Sequence, residues 1–448
     1  MTSSSRSNSG PAVSGPLTHR EIFLFWAPLA ATWLMMATEG PFLAAVIARL
    51  ADPKFNLAAH GVAFAFGILI EAPVIMLMSA ATALVEDATS YRRLRNFANV
   101  LNVGATGVLL VLLVPSVFDL VAQGALGLPD PVAELARHAL WFYLPWPAAI
   151  GVRRFLQGVL IRSGRTRLVA IGTVIRLAAM AGAALFFALA TDLPGASVGG
   201  AALSSGVVVE AVVARWMARH DIRALRATRA PAGGGPSLSY RDILHFYLPL
   251  GLTSLLGLAV QPMLTFFMGR APAPVESLAV FPVVNSLGFL FRSLGLAWQD
   301  AAIALLRRDR LPTLGRFTLL LGGSTAVGLA LIVYTPLAVV WFETISGLEP
   351  ELSRYAFAPA RLTVPVAALS VFLSLERAIL MKVRRTHPIT VATGLEVAVI
   401  AGAFVAGAWG FGWIGVTAAF AAFVAGRVAS TGYLAFPVRR ALRVARDE

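Results

Sequence analysis

HREIFLFWAPL, residues 19–29, returns 221 positions later as YRDILHFYLPL, residues 240–250. An arginine, an acid, an isoleucine, two aromatics, a proline and a leucine all keep their places. The same shift carries Pro41 onto Pro262, Arg49 onto Arg270, Leu57 and Ala58 onto Leu278 and Ala279, and Pro115 onto Pro336. A shift of 220 then carries Pro145 onto Pro365, GVLIR (158–162) onto AILMK (378–382), and Arg165-Thr166 onto Arg385-Thr386. Two unrelated greasy segments would share apolar residues; they would not share prolines and loop arginines in order. The chain is a tandem repeat with one gap.

What repeats is a membrane segment. The 448 residues are 58% hydrophobic and 13% charged, too apolar for a soluble domain of this length. Mean hydropathy is +0.76. Twelve spans are expected, over 21–49, 58–85, 96–122, 132–161, 168–190, 196–218, 242–269, 277–305, 314–342, 352–381, 388–409 and 412–436. Each is long enough to cross a hydrocarbon core of about 30 Å at about 1.5 Å per residue. The expected fold is therefore an all-α polytopic membrane protein of two six-helix halves. Six helices per half leave both halves in one orientation, so the pseudo-twofold axis runs along the membrane normal. That is the parallel-repeat plan of secondary transporters, with the substrate site near the midplane between the halves.

Loop charge sets the orientation. Basic clusters recur in alternate loops: Arg92, Arg93 and Arg95; Arg162, Arg165 and Arg167; Arg307, Arg308 and Arg310; Lys382, Arg384 and Arg385. The intervening loops hold few cations and carry acids such as Asp119, Asp130, Asp192 and Glu349. The positive-inside rule then places both termini in the cytoplasm, and a bacterial inner membrane is the expected location. The net charge of +14 is accounted for by anionic lipid headgroups, and no nucleic-acid partner is implied. The division reads as a disordered cytoplasmic tail (1–19), a first half (20–219), a linker (220–240), a second half (241–438) and a basic tail (439–448). A monomer is expected.

Charges inside the spans mark the candidate site, since an ionised group at a helix centre costs about 2.5–3.5 kcal/mol on insertion scales. Glu71, in GILIE, falls on Arg292, in GFLFR; Arg176, in VIRLA, falls on Glu396, in GLEVA. In both cases the place is kept and the sign inverts. Both pairs are expected to line a central cavity, Glu71 meeting Arg292 across it and Arg176 meeting Glu396; the alternative is that each charge is neutralised within its own half. Arg153 and Arg154 sit mid-helix, about 100° apart, so both cannot face one cavity squarely. Glu39, before the Pro41 kink, is a candidate for proton or Na⁺ coupling. Arg361, Arg427 and Glu210 are further cavity candidates, whereas Glu376 and Arg377 are expected to snorkel to the interface. Trp146 and the other tryptophans read as packing or interfacial anchors.

FWAPLAAT (25–32), LAAHGVAFAFGILIEAPVIML (57–77) and QGVLIRSGRT (157–166) resemble the bacterial relatives of the progressive ankylosis protein, within the multidrug/oligosaccharidyl-lipid/polysaccharide (MOP) exporter superfamily, whose fold is MATE-like. The resemblance implies export of small organic or phosphate-bearing anions: citrate and other di- and tricarboxylates, pyrophosphate or nucleotides. It transfers no residue roles. The surplus of arginine over glutamate in the spans points the same way, because guanidinium stays charged and forks onto carboxylate or phosphate. A lipid-linked precursor flippase and a cation-coupled drug antiporter are the alternatives within the superfamily.

An enzyme is the reading from another class, and the sequence disfavours it. The loops carry no D-x-x-D for Mg²⁺-diphosphate chemistry and no P-loop, and the six histidines lack metal-ligand spacing. No catalytic residues, metal site or cofactor are expected beyond an H⁺ or Na⁺ coupling ion.

Overall fold

A computed structural model describes residues 18–228, 238–383, 385 and 387–447. Most of the expected N-terminal tail and the centre of the expected linker lie outside the described residues. Helices account for both halves, and no strand occurs among the described residues. The first half holds α1 (His19–Ala37), α2 (Glu39–Ile47), α3 (Pro53–Glu71), α4 (Leu77–Leu84), α5 (Ala88–Leu112), α6 (Pro115–Asp119), α7 (Asp130–Phe142), α8 (Trp146–Arg162), α9 (Thr166–Ala190) and α10 (Gly195–Met217). A surface helix α11 (Arg219–Ala227) follows. The second half holds α12 (Tyr240–Leu258), α13 (Val260–Gly269), α14 (Pro274–Leu305), α15 (Leu311–Val333), α16 (Leu337–Val339), α17 (Pro350–Lys382), α18 (His387–Val405) and α19 (Gly415–Asp447).

Ten segments are long and apolar enough to cross a membrane by themselves. The interrupted pairs α7–α8 and α12–α13 fall where the other two of the twelve expected spans lie, so the described helices are consistent with that count without reproducing it as twelve continuous spans. The interruptions have a local cause. Proline lacks the N–H that would bond to the carbonyl four residues back, and its ring clashes with that carbonyl. Accordingly α1 yields to α2 at Thr38, three residues before Pro41, and α12 yields to α13 at Ala259, three residues before Pro262.

The repeat is visible atom by atom. Thr18 and Glu21 form a capping box at the start of α1, and Ser239 and Asp242 form its counterpart at α12. Asp52 (φ 49°) and Ala273 (φ 54°), the non-glycine residues with positive φ among those described, occupy matching turns before α3 and α14. The Asn56 side chain accepts from the Ala196 N–H (2.9 Å) to cap α10, and Ser277 accepts from the Val416 N–H (3.1 Å) to cap α19. A π-helical turn over Leu120–Ala125 recurs over Val340–Ile345.

Some of these matched contacts exchange partners between the halves. Trp26 Nε1 donates to the Leu294 carbonyl (3.3 Å), and the Tyr247 hydroxyl donates to the Pro73 carbonyl, the equivalent residue of the first half. On the face away from the termini, Arg49 Nη2 donates to the carbonyls of Thr344 (2.6 Å) and Ile345 (3.0 Å). Its counterpart Arg270 donates to the Gly124 carbonyl (2.8 Å), 220 positions before Thr344. The arginines thus satisfy carbonyls left over where the π-turns end. Lys54 and Glu276 add an ion pair across the same face (2.6 Å).

The halves part company around Glu71. Pro73 ends α3 after Glu71, and Pro145 with Pro147 separates α7 from α8 at Tyr143–Pro145. In the second half α14 runs unbroken past Arg292, and α17 runs unbroken through Pro359 and Pro365. One half is broken near its central charge and the other is continuous.

Candidate functional site

A cavity of about 670 Å³ lies between the halves, its wall built from α1–α3 and α8–α10 on one side and from α12–α14 and α17–α19 on the other. Glu39, Glu71, Arg153, Arg176, Arg292, Glu396 and Arg427 all line it. Arg154, Arg361 and Glu210 are not part of the wall. Arg153 and Arg154 diverge on α8, and only Arg153 reaches the cavity; Arg154 Nη1 has a weak contact to Met78 Sδ at 3.9 Å. Arg361 is exposed and lies over the Tyr334 ring at 5.5 Å.

Glu210 sits behind the wall, 1% exposed, and organises it. It accepts from Arg153 Nη1 (2.6 Å) and Gln157 Nε2 (2.9 Å), and Arg176 Nε lies 3.2 Å away. Arg176 also pairs through Nη2 with Glu39. Four helices, α2, α8, α9 and α10, therefore meet in a network of two carboxylates and two guanidiniums. In the second half Arg427 pairs with Glu396 at 3.1 Å. Arg176 and Glu396 do not meet across the cavity in this structure; each is neutralised by a residue of its own half.

Glu71 and Arg292 do not meet either. Glu71, 8% exposed, accepts a hydrogen bond from Trp146 Nε1 at 2.7 Å. The break before α8 puts that indole in place, so Trp146 is a polar contributor to the cavity rather than an interfacial anchor. Arg292 donates to Asn285 Oδ1 (2.9 Å) and lies over the rings of Phe289 (5.8 Å) and Phe423 (5.9 Å). Its Nε is buried without a hydrogen-bond partner. Neither residue has an ion-pair partner among the described residues.

Arg377 also departs from its expected position at the interface. It lines the cavity instead of snorkelling, and its buried Nε has no hydrogen-bond partner. The repeat held a signal for it: Arg377 is the counterpart of Gln157, the amide that holds Glu210. His60 also lines the wall, 7% exposed, with Nδ1 unbonded. Counted on the wall alone, five arginines face three glutamates, a surplus of two positive charges. Among the described residues, the wall charges without an ion-pair partner are Arg292 and Arg377 on one side and Glu71 on the other. Among the described residues no cluster of three or more His, Asp or Glu could hold a metal ion.

Solved structures share this architecture. An inward-facing multidrug resistance MATE family transporter of the MOP superfamily matches with a TM-score of 0.71 at 14% identity, over 95% of this chain and 99% of its own. An outward-facing conformation of such a transporter matches with a TM-score of 0.62 at 15% identity, over 96% and 97%. The lipid II flippase MurJ in an inward closed conformation matches with 0.68 at 10% identity, over 93% and 87%. No family model matches the sequence, and neither does any curated protein sequence. At these identities the likeness establishes architecture and leaves function to the cavity. The chain is a multi-pass membrane protein whose fold is MATE-like.

Proposed function

We propose that the protein is a secondary active transporter that exports an anionic solute through the central cavity by alternating access, and that it is not an enzyme. The observation that carries this is the pair of cavity guanidiniums, Arg292 and Arg377, with no carboxylate partner among the described residues. A buried, unpaired cation is costly, and a transported carboxylate or phosphate would relieve that cost. Positive charge on the loops of the termini face supports a cytoplasmic location for both ends in a bacterial inner membrane. The higher TM-score against the inward-facing relative supports a cavity facing the cytoplasm.

Coupling falls to the opposite wall. Glu39 is held by Arg176, whereas Glu71 has only the neutral Trp146 donor. Glu71 is therefore the carboxylate with most to gain from a proton or Na⁺, and Glu39 is the second. When Glu71 is neutralised it no longer competes with the solute for Arg292.

The test is flux in proteoliposomes with H⁺ and Na⁺ gradients varied, against citrate, malate, pyrophosphate, ATP, a cationic dye and a fluorescent lipid. Movement of an anion, abolished by Arg292→Gln, supports the proposal. Movement of the dye or the lipid with every anion stationary overturns it. The likeness to a lipid II flippase makes lipid-linked precursor translocation the reading to which the lipid result would lead.

A further inference from the structure

We infer that the solute is an amphipathic organic anion of low charge with an aromatic or similarly flat body, rather than a small polyanion. This rests on the anion-transport reading and narrows it.

Two features of the cavity carry the inference. The first is charge. Arg153 and Arg176 are committed to Glu210 and Glu39, and Arg427 to Glu396. That leaves the guanidiniums of Arg292 and Arg377 against the carboxylate of Glu71, an unpaired sum of one positive charge, or two when Glu71 is protonated. A solute carrying one or two negative charges meets that sum. Citrate, pyrophosphate or a nucleoside triphosphate, with three or four, would enter with charge that the wall does not cancel and that low-dielectric surroundings penalise.

The second is the lining around Arg292. Its guanidinium is bracketed by Phe289, one turn earlier on α14, and by Phe423 on α19. Phe281 continues this face, its ring nearly parallel to that of Phe423 (interplanar angle 13°, centroids 6.4 Å apart). Val397 and Ile400 complete an apolar wall. A hydrated polyanion gains nothing from such a wall. A flat apolar body gains by stacking on the phenyl rings while its anionic head takes the unbonded Nε of Arg292. Phe289, Phe423 and Phe281 are therefore the specificity-determining residues, and Arg292 anchors the head.

The experiment is uptake of naphthalene-2-sulfonate into proteoliposomes of the full chain, compared with ethanesulfonate, citrate and pyrophosphate. Sulfonates stay ionised, so passive leak of a neutral acid does not contribute. Naphthalene-2-sulfonate is expected to move with a KM about tenfold or more below that of ethanesulfonate. Phe423→Ala should raise the KM for naphthalene-2-sulfonate far more than that for ethanesulfonate and so erase most of the difference, and Phe423→Leu, which keeps an apolar side chain there, should lie between. Flux of citrate or pyrophosphate with none of the naphthalene anion overturns this inference and leaves anion transport standing. Equal handling of the two sulfonates by the wild type also overturns it. Flux of a cationic dye with no anion moving overturns both readings.

Discussion

Replacing Arg49 by alanine should open the face of the molecule away from its termini. In the present state Arg49 reaches across to Thr344 and Ile345 with two hydrogen bonds, and its counterpart Arg270 reaches back to Gly124 with one. Arg49 is exposed on this face, so each bond is taken at the ordinary net value of about 1 kcal/mol rather than the larger value of buried charged groups. Arg49→Ala then shifts the equilibrium between closed and open by about 2 kcal/mol, roughly 30-fold in population. Arg270→Ala shifts it by about 1 kcal/mol, roughly fivefold. The chain contains no cysteine, so one introduced thiol reports without background. Ala44→Cys suits the purpose: Ala44 is 2% exposed, lies near the far end of α2 and faces the cavity. Its rate of reaction with a membrane-impermeant maleimide added from the far face is proportional to the open population while that population is small. The rate should rise about 30-fold with Arg49→Ala and about fivefold with Arg270→Ala, the ratio following the count of cross-half bonds. Unchanged rates, or equal effects of the two substitutions, would refute the view that these arginines hold the face shut.

Further outcomes follow from the site and its supports. Glu210→Ala removes the carboxylate that gathers Arg153, Arg176 and Gln157, leaving the buried Arg153 unpaired while Arg176 keeps Glu39; a loss of about 3–5 kcal/mol is expected, read as a lower melting temperature in detergent. Trp146→Phe withdraws the hydrogen bond to Glu71 while keeping an aromatic ring in the site, so the pH profile of transport should move toward higher pH while the melting temperature falls by less than for Glu210→Ala. Asp87, the N-cap of α5, has its carboxyl held below the usual range first by the backbone N–H of Ser90, then by the Ser90 hydroxyl and the Thr89 N–H. Its contribution is present above its unfolded-state titration and is lost as pH falls through the lower folded one, so Asp87→Ala should cost about 1 kcal/mol near neutrality and progressively less under acid, measured by melts across pH.

The helices and their pairing were legible because both are recorded in residue type and order. Hydropathy marks the spans, prolines mark the breaks, and loop arginines fix the register of one half on the other. The matched contacts of Arg49 with Arg270 and of Trp26 with Tyr247 show why those residues recur. Ion pairing was less legible. A twofold axis places equivalent residues at equal distances on opposite sides, so sign inversion at Glu71 and Arg292 puts both on the wall without bringing them together. Arg176 and Glu396 found nearer partners in Glu39, Glu210 and Arg427, none of which is the repeat counterpart of the residue it holds. Which side of a helix a charge faces depends on rotation about its axis, and depth along the chain does not record that. Arg377 was misplaced for this reason: it lies close to the end of α17, yet on the side that borders the cavity.

The interruption at Thr38 has a mechanical meaning. Helix α1 belongs to the first half by sequence but lies on the second, through Trp26 against Leu294, Trp33 against Asp300 and the buried packing of Ile22 and Ala30 on Ala297 and Ala301. Helix α12 answers with Tyr247 on the first half. The two are crossed levers, each hinged in one half and resting on the other, with pivots at Thr38 and Ala259. In the proposed alternating-access cycle, each lever must either lift from its seat or turn at its pivot. The residue after the first pivot is Glu39, tied to Arg176; the residue after the second is the uncharged Val260. Only one of the two levers, then, pulls on an ion pair as it turns.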